Sequence, residues 1–330
     1  MVVLIAAAGL IAGVSGCGFP NRLGAANSIG DTIRAMPGVT AADVHYDTSF
    51  DGGAQFNLEV TLADTASAPQ AAAVGRTFVD RMRAANFAEF DVKLEVAYKA
   101  NHDPDSSVPG SRADFDYYFD RRARGGPSSG DVADSLAMWL QVAQSPVSVG
   151  ATVIQPAWAG PDTSRSISVA LAPLVSDADI TGLIHAHPDL TAATWILNIP
   201  SPQRFAPPRA YQVRGPFPEQ HRRALWQQIV DQLGSGDAAQ ASTDTIDTHA
   251  GVPPTRVEVD VGSGLDESQR FDHIAHVVIP LLPGLGLPVG LRMLGHLDQI
   301  EFTLGGCDRP DPRHTASPLE NELRRQYQHC

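Results

Sequence analysis

Several groups of residues in this chain have types and spacings that could do chemistry. Ser128 lies in Gly126-Pro127-Ser128-Ser129-Gly130, which matches the G-x-S-x-G pattern of a nucleophilic serine. Such a serine must directly follow a strand, and the residues before Gly126 do not predict one. We therefore interpret Ser129 as the N-cap of a helix over 132–143 and predict no catalytic residue in this segment.

Two histidine pairs are candidate metal ligands. His273 and His276 are three residues apart on a predicted helix, so both could face one ion, but no third ligand with suitable spacing accompanies them. His185 and His187 flank a predicted helix end, where imidazoles can interact with the last carbonyl groups. We expect both pairs to be structural.

A third candidate is the alternation of Asp103, Asp105 and Ser107, which is weakly similar to a calcium loop. The turn glycine and the closing glutamate of such a loop are missing. No glycine loop of the phosphate-binding types is present either. The sequence therefore predicts neither a metal nor a nucleotide cofactor.

The N-terminus carries the strongest functional signal. Val2–Val14 contains only apolar residues and glycine, and it is shorter than the roughly 20 residues of a membrane-spanning helix. Its length is typical of the apolar region of a signal peptide. It ends in Val14-Ser15-Gly16-Cys17, which resembles the lipobox of bacterial lipoproteins.

This resemblance implies that residues 1–16 are a signal peptide and that Cys17 is the lipidated first residue of the mature chain. Residues 17–26 would be a tether to the outer face of the cytoplasmic membrane, since two or three acyl chains give stable anchoring. No Lys or Arg precedes the apolar run, which departs from the signal-peptide pattern and leaves the translation start open. The alternative is a buried hairpin or an uncleaved anchor with Cys17 as an inert thiol.

The remaining cysteines, Cys307 and Cys330, form an even pair in a compartment that permits disulfides. Between them, Ser317-Pro318-Leu319-Glu320 predicts a helix start with a capping box, and this helix could return Cys330 to Cys307. We expect an intramolecular disulfide. The alternatives are two free thiols or a bond from Cys330 to another chain.

Composition excludes some functions of the body of the chain. Its 330 residues are 43% hydrophobic with a formal charge of −13, so a folded core is expected and nucleic-acid binding is not. The few lysines beside many arginines and alanines are typical of a high-GC bacterium such as an actinobacterium.

Hydrophobic periodicity predicts the order helix-strand-strand-helix-strand three times. In the first round the helices lie near 28–36 and 67–82, and the strands near 44–46, 56–62 and 92–98. The segments Phe115–Phe119 and Tyr211–Val213 could supply first strands for the later rounds.

Sequence echoes support internal duplication. Residues 137–142 (AMWLQV) are similar to 224–229 (ALWQQI), and 33–42 (IRAMPGVTAA) to 184–193 (IHAHPDLTAA). We therefore predict an α+β protein of three tandem ferredoxin-like βαββαβ modules. The expected units are modules at 27–100, 113–200 and 209–306 and a helical C-terminal tail at 307–330.

The proline-rich segment Ile279–Val289 has two possible interpretations. Ile279–Val289 is apolar and contains three prolines, so it cannot be a regular helix or central strand. It is either a buried crossover or an apolar surface loop that contacts lipid or a partner.

The sequence thus predicts a lipoprotein of the cell envelope with a non-catalytic binding or scaffolding role. Its expected partners are the membrane, through the lipid, and an unknown envelope protein or lipid. The first alternative is a carrier or sensor of a small apolar or lipid ligand, and the second is an envelope hydrolase.

Overall fold

A computed structural model describes residues 21–49, 53–98, 113–119, 126–155, 165–172, 175–198, 208–246, 252–263, 267–296, 298–307 and 315–329. The helices are α1 (Leu23–Arg34), α2 (Ala68–Ala84), α3 (Ser129–Ala143), α4 (Asp177–Ala186), α5 (Gln220–Asp231), α6 (Glu267–Val278) and α7 (Pro318–Tyr327). Short 3-10 helices span Pro188–Ala192 and Ile279–Leu285. The strands are β1 (Val39–Ser49), β2 (Gly53–Leu62), β3 (Asp91–Tyr98), β4 (Asp114–Phe119), β5 (Ser148–Gln155), β6 (Ser166–Leu171), β7 (Thr194–Asn198), β8 (Arg209–Arg214), β9 (Ala238–Asp244), β10 (Thr255–Asp260), β11 (Val289–Leu294) and β12 (Gln299–Leu304).

The described strands form one 12-stranded sheet whose strand order is the same as the chain order. Antiparallel and parallel pairs alternate across it: β1 is antiparallel to β2, β2 is parallel to β3, and β3 is antiparallel to β4. A helix connects the two strands of each parallel pair. The chain therefore crosses the sheet as a repeated helix-strand-strand unit.

The prediction of three tandem ferredoxin-like modules is wrong, although the α+β class stands. A split βαβ motif places another strand between the two strands that a helix connects. Here those two strands are direct neighbours, and β3–β4 and β7–β8 also pair across the expected module boundaries. Both arrangements have the same element order along the chain, and hydrophobic periodicity specifies that order but not which strands become neighbours.

All the described helices that cross between parallel strands cover the same face of the sheet. Phe78 of α2 contacts Tyr117 of β4 with ring centroids 6.3 Å apart, and Trp139 of α3 contacts Phe115 of that strand at 6.1 Å. The two strands of each antiparallel pair run in opposite directions, so consecutive parallel pairs also run in opposite directions. Each new strand is nevertheless added on the same side of the previous one. Successive crossovers therefore have opposite hands, which departs from the strong preference for right-handed connections.

Both sequence echoes fall at equivalent positions of the helix-strand-strand unit. The longer echo spans the ends of α1 and α4 and the turns that follow them, and the shorter one lies within α3 and α5. The repeated element is therefore smaller than the predicted module.

The helix-covered face holds two hydrophobic cores. One extends from Ala26 to Trp195 and the other from Tyr211 to Leu323, so they divide between β7 and β8. Arg223 of α5 links them, because it forms an ion pair with Asp177 of α4 and lies 4.9 Å from the ring centroid of Phe217. We call them the N-terminal core and the C-terminal core.

Local predictions near helix ends were mostly confirmed. Ser67 caps α2 in a capping box with Gln70, and Ser317 caps α7 by accepting a hydrogen bond from the Glu320 amide at 3.1 Å. The cap of α3 is Ser128 rather than the predicted Ser129. The Ile279–Leu285 segment is a 3-10 helix with three side chains in the C-terminal core, as the buried-crossover interpretation requires.

Helix α7 covers the outer edge of β12. The Gly305 amide donates to the Tyr327 carbonyl at 2.9 Å, and Arg324 Nη2 donates to the Glu301 carbonyl at 2.6 Å. Leu323 is buried in the C-terminal core. These contacts fix α7 against the last strand of the sheet.

Candidate functional site

In the described part of the fold, no helix layer covers the face of the sheet opposite the crossover helices. Alternate residues of each strand point to it, as in β10, where Arg256, Glu258 and Asp260 are exposed and Thr255, Val257 and Val259 are buried. We call this surface the open face.

Charge is distributed unevenly along the open face. The register places the following acidic residues of β1–β4 on it: Asp43, Asp47, Glu59, Asp91, Glu95, Asp114 and Asp116. In the same way, the open-face residues of β8–β12 include Arg214, Arg256 and Arg292 together with acidic residues. The two ends of the face therefore suit different ligands.

Lys93 balances part of the acidic end. Its ammonium binds the Glu95 carboxylate, lies 3.6 Å from Asp116 Oδ1 and sits 5.0 Å from the ring centroid of Tyr118. Burial alone would lower the pKa of Lys93, but these hydrogen bonds and charges outweigh it and the pKa is raised. Burial also raises the pKa of Asp116, against the opposing charge of Lys93. The ammonium is therefore held in its charged form against its carboxylate neighbours.

A groove of about 610 Å³ lies on the open face of β8–β12, next to α7. Its lining includes three arginines, two glutamates, two glutamines and two hydroxyl side chains: Arg256, Arg292, Arg324, Glu258, Glu301, Gln212, Gln240, Ser242 and Thr303. Volumes of about 300–1,000 Å³ are typical of sites for small organic ligands. The groove is thus our candidate functional site.

Strand register arranges these side chains in two transverse rows. The first row runs from Gln212 through Ser242, Arg256 and Gly290 to Thr303. Neighbouring strands are about 4.8 Å apart, so the side chains of adjacent positions can contact one ligand together.

The second row runs from Gln240 through Glu258 and Arg292 to Glu301. Its three charged residues alternate in sign along the row, from Glu258 to Arg292 to Glu301. Arg292 Nη1 lies 4.0 Å from Glu258 Oε1, and about half of each side chain is exposed. That ion pair is therefore loose and well solvated.

Of the three arginines that line the groove, Arg256 lacks a partner among the described residues. In the described part of the chain its guanidinium forms no hydrogen bond or ion pair, and its side chain is exposed in the middle of the groove. Arg324, in contrast, donates to Glu320 Oε1 at 2.7 Å and to the Glu301 carbonyl at 2.6 Å. Arg256 can therefore bind an external anion without breaking an internal contact.

Gly290 is paired with Arg256 across β10 and β11 and lies close to the ring of Pro253. A Cβ atom at this position would lie 3.3 Å from Pro253 Cγ and 3.9 Å from Arg256 Cγ. A side chain at this position would therefore press against Pro253, beside the aliphatic part of Arg256.

Buried Asp237 holds together the ends of the strands that carry the groove. Its carboxylate accepts hydrogen bonds from the Gly234 amide at 2.7 Å, the Gly262 amide at 2.9 Å and Arg270 Nη2 at 3.1 Å. Arg209, at the start of β8, donates to the Asp237 carbonyl at 3.2 Å. These bonds fix the turns before β9 and after β10.

The residues singled out from sequence do not come together in this groove. The Ser128 hydroxyl accepts from the Asp131 amide at 3.1 Å and donates to the Asp131 carboxylate at 2.8 Å, so it forms a helix cap. His276 Nδ1 contacts the Asp272 carbonyl at 2.7 Å on its own helix. Among the described residues no three His, Cys, Asp or Glu side chains are grouped as metal ligands.

Other predicted sites lie outside the described residues: Val14, Ser15, Gly16 and Cys17 of the lipobox, the candidate calcium loop at 103–107, and Cys330. Cys307 is disulfide-bonded. Within the described ranges no helix is long and apolar enough to cross a membrane.

Sequence reasoning missed the groove residues. Alternation in β10 predicts that Arg256 and Glu258 share one face, but β11, which supplies Gly290 and Arg292, was not predicted at all. Comparison of the chain with protein-family models, with curated proteins and with solved structures found no match.

Proposed function

We propose that this chain is a lipid-anchored protein on the outer face of the cytoplasmic membrane that binds a polar ligand in the open-face groove without catalysing a reaction. The observation that carries this proposal is the groove itself, with its unpaired Arg256 between rows of polar side chains. In the described part of the chain a helix layer covers one face of the sheet, and the groove lies on the opposite face.

The character of the lining favours this function over the alternatives. Guanidinium, carboxylate, amide and hydroxyl groups line the groove, and such groups bind polar ligands better than acyl chains. This supports binding of a polar ligand over carriage of an apolar one. The candidate nucleophile Ser128 is used in a helix cap, which gives the hydrolase alternative no support from that residue.

Anchoring through Cys17 rests on the lipobox resemblance of Val14-Ser15-Gly16-Cys17. Growth of the native bacterium with a labelled fatty acid should label the wild-type protein and leave the Cys17→Ser variant unlabelled. Cys307→Ser serves as the control and should be labelled like the wild type. Equal labelling of the wild type and Cys17→Ser would contradict lipidation at this residue.

We also propose that the disulfide partner of Cys307 is Cys330. The hydrogen bond between the Gly305 amide and the Tyr327 carbonyl supports this pairing, because it brings the chain just before Cys307 to the end of α7. Proteolytic mapping without reduction should yield one peptide pair that joins Cys307 to Cys330. A peptide that joins Cys307 to Cys17 would disprove the proposal.

Binding in the groove can be tested in native membranes. A photoreactive amino acid at Gln240, which lines the groove, should form an adduct with the ligand on illumination. The same amino acid at Arg76, an exposed position on α2, is the control and should form none of that adduct. Identical adducts from both positions would show that the groove is not the binding site.

A further inference from the structure

We infer that the groove recognises the phosphate group of a small hydroxyl-bearing molecule, with Arg256 and Arg292 as its two cationic contacts. This inference rests on the proposed binding function and adds the class of ligand. Three features of the groove support it: the free guanidinium of Arg256, a second guanidinium within reach, and the polar groups around them.

The first feature is the availability of Arg256. Within the described residues it has no counter-ion, although the chain has a net charge of −13 and acidic side chains are abundant. A guanidinium presents a planar fork of N–H donors that matches two oxygens of a phosphate or carboxylate group. Arg256 is exposed in the groove, so an oxyanion can reach that fork.

The second feature is the position of Arg292, which distinguishes a dianion from a singly charged group. Arg256 is in register with Gly290 of the parallel strand β11, so Arg292, two residues further on, is its diagonal neighbour, about 8 Å away between Cα atoms. The 4.0 Å contact between Arg292 and Glu258 is loose enough for the guanidinium to turn towards a ligand. Two cations within reach of one site suit a phosphate better than a single carboxylate.

The third feature is the set of neutral and acidic groups around the two arginines. Gln212, Ser242 and Thr303 lie in the same row as Arg256, and Glu258 and Glu301 lie in the row of Arg292. Amides, hydroxyls and carboxylates can hydrogen-bond the hydroxyl groups of a sugar or another polyol. The combination therefore fits a polyol phosphate, either free or as a lipid headgroup.

The test uses the full chain in phosphatidylcholine nanodiscs, titrated calorimetrically with glucose 1-phosphate at low salt. We expect saturable binding, and we expect Arg256→Gln to weaken it at least about tenfold because a charge-assisted hydrogen bond is lost. Arg256→Lys should recover only part of the affinity, since it keeps the charge but not the fork.

Arg76→Gln makes the same change of charge at an exposed site on α2 and should bind like the wild type. Phosphatidylinositol in the discs distinguishes the two ligand sources: suppression of glucose 1-phosphate binding assigns the site to a lipid headgroup, and unchanged binding assigns it to a free phosphate. Either result supports the inference.

Three results would overturn it: no binding of glucose 1-phosphate, equally tight binding of glucose, or equal affinities of wild type and Arg256→Gln. The proposed binding function would still stand in these cases if the photoreactive residue at position 240 captured a different ligand. Absence of any adduct at that position would reject the binding function itself.

Discussion

Two tyrosines on the helix-covered face show how much the surroundings of a single buried hydroxyl matter. The Tyr117 hydroxyl has no hydrogen-bond partner among the described residues, and burial raises its pKa to about 12. The Tyr211 hydroxyl lies 3.2 Å from Thr243 Oγ1, which is 3.1 Å from Thr255 Oγ1. A buried hydroxyl without a partner lowers stability, whereas a paired one contributes to it.

We therefore expect opposite effects from the same substitution at these residues. Tyr117→Phe should raise the free energy of unfolding by about 1 kcal/mol, and Tyr211→Phe should lower it by about 1 kcal/mol. Urea denaturation followed by circular dichroism measures both values. Destabilisation by Tyr117→Phe would mean that its hydroxyl has a partner, such as a buried water molecule.

His187 gives a prediction about pH. It joins α4 to the 3-10 helix Pro188–Ala192, and burial lowers its pKa against the opposing charge of Asp189. The folded protein thus favours the neutral imidazole, while the unfolded chain titrates near about 6.5. The stability that His187 contributes is complete above that pH and is lost as the pH falls through the lower pKa of the folded state.

The free energy of unfolding should accordingly fall as the pH decreases below about 6.5, and His187→Gln should reduce this fall. Thermal denaturation at a series of pH values measures it. His273→Gln, at an exposed position of α6, is the matched control and should keep the wild-type slope. The same slope in wild type and His187→Gln would contradict the assignment.

The role of a single residue can be predicted from the sequence when it depends on residues that are close by along the chain. Ser317 was predicted as a helix cap because the capping signal spans only a few residues. Ser129 was chosen instead of Ser128 because either serine could start the helix. Arg256 and Arg292 were not recognised as a pair, since their proximity depends on the pairing of β10 with β11.

Among the elements, α2 and α3 form the closest helix pair, and a glycine makes this approach possible. A Cβ atom at Gly75 of α2 would lie 2.9 Å from Leu136 Cδ1 and 3.4 Å from the Val132 carbonyl oxygen. Gly182 of α4, in contrast, has no atom within 4 Å of the corresponding position. Both residues lie inside helices, where alanine is intrinsically preferred to glycine.

Alanine should therefore stabilise one of these helices and destabilise the other. Gly182→Ala should raise the free energy of unfolding by up to about 1 kcal/mol through helix propensity. Gly75→Ala should lower it by about 1–3 kcal/mol, because the Leu136 side chain and α3 must move to accommodate the methyl group. Urea denaturation of the two variants in parallel measures the difference. Stabilisation by Gly75→Ala as well would show that α3 can move to accommodate the methyl group without loss of stability.

Most elements were predictable because their hydrophobic period is local. The alternation in β2 and β3 and the period of α2 match the structure. Strand β11 was missed because it directly follows the proline-rich apolar segment that ends at its first residue, so no change of period marks where the strand begins.

At the scale of the whole molecule, the order of the elements was predicted and their lateral arrangement was not. A ferredoxin-like module and the observed sheet share the sequence βαββαβ, and only strand neighbours distinguish them. A preference for right-handed crossovers would argue against the observed sheet, in which successive crossovers have opposite hands. The groove depends on this lateral arrangement, because it is built from five consecutive neighbouring strands.

Because the hydrophobic core is divided in two, we expect the two halves of the continuous sheet to unfold separately. The cores meet through the β7–β8 pairing and a few contacts such as the Arg223–Asp177 ion pair. Leu94 of β3 is fully buried in the N-terminal core, and Leu291 of β11 is 2% exposed in the C-terminal core. Replacement of either leucine by alanine should cost about 2–5 kcal/mol.

Hydrogen exchange followed by mass spectrometry shows which strands lose protection in each variant. Leu94→Ala should accelerate exchange of backbone amides in β1–β6 and leave β9–β12 near wild-type rates. Leu291→Ala should produce the reverse pattern, so each variant is the control for the other. If either substitution accelerated exchange equally in both halves, the shared sheet would couple the cores into one cooperative unit, and the β7–β8 pairing would then contribute more to stability than its five residue pairs indicate.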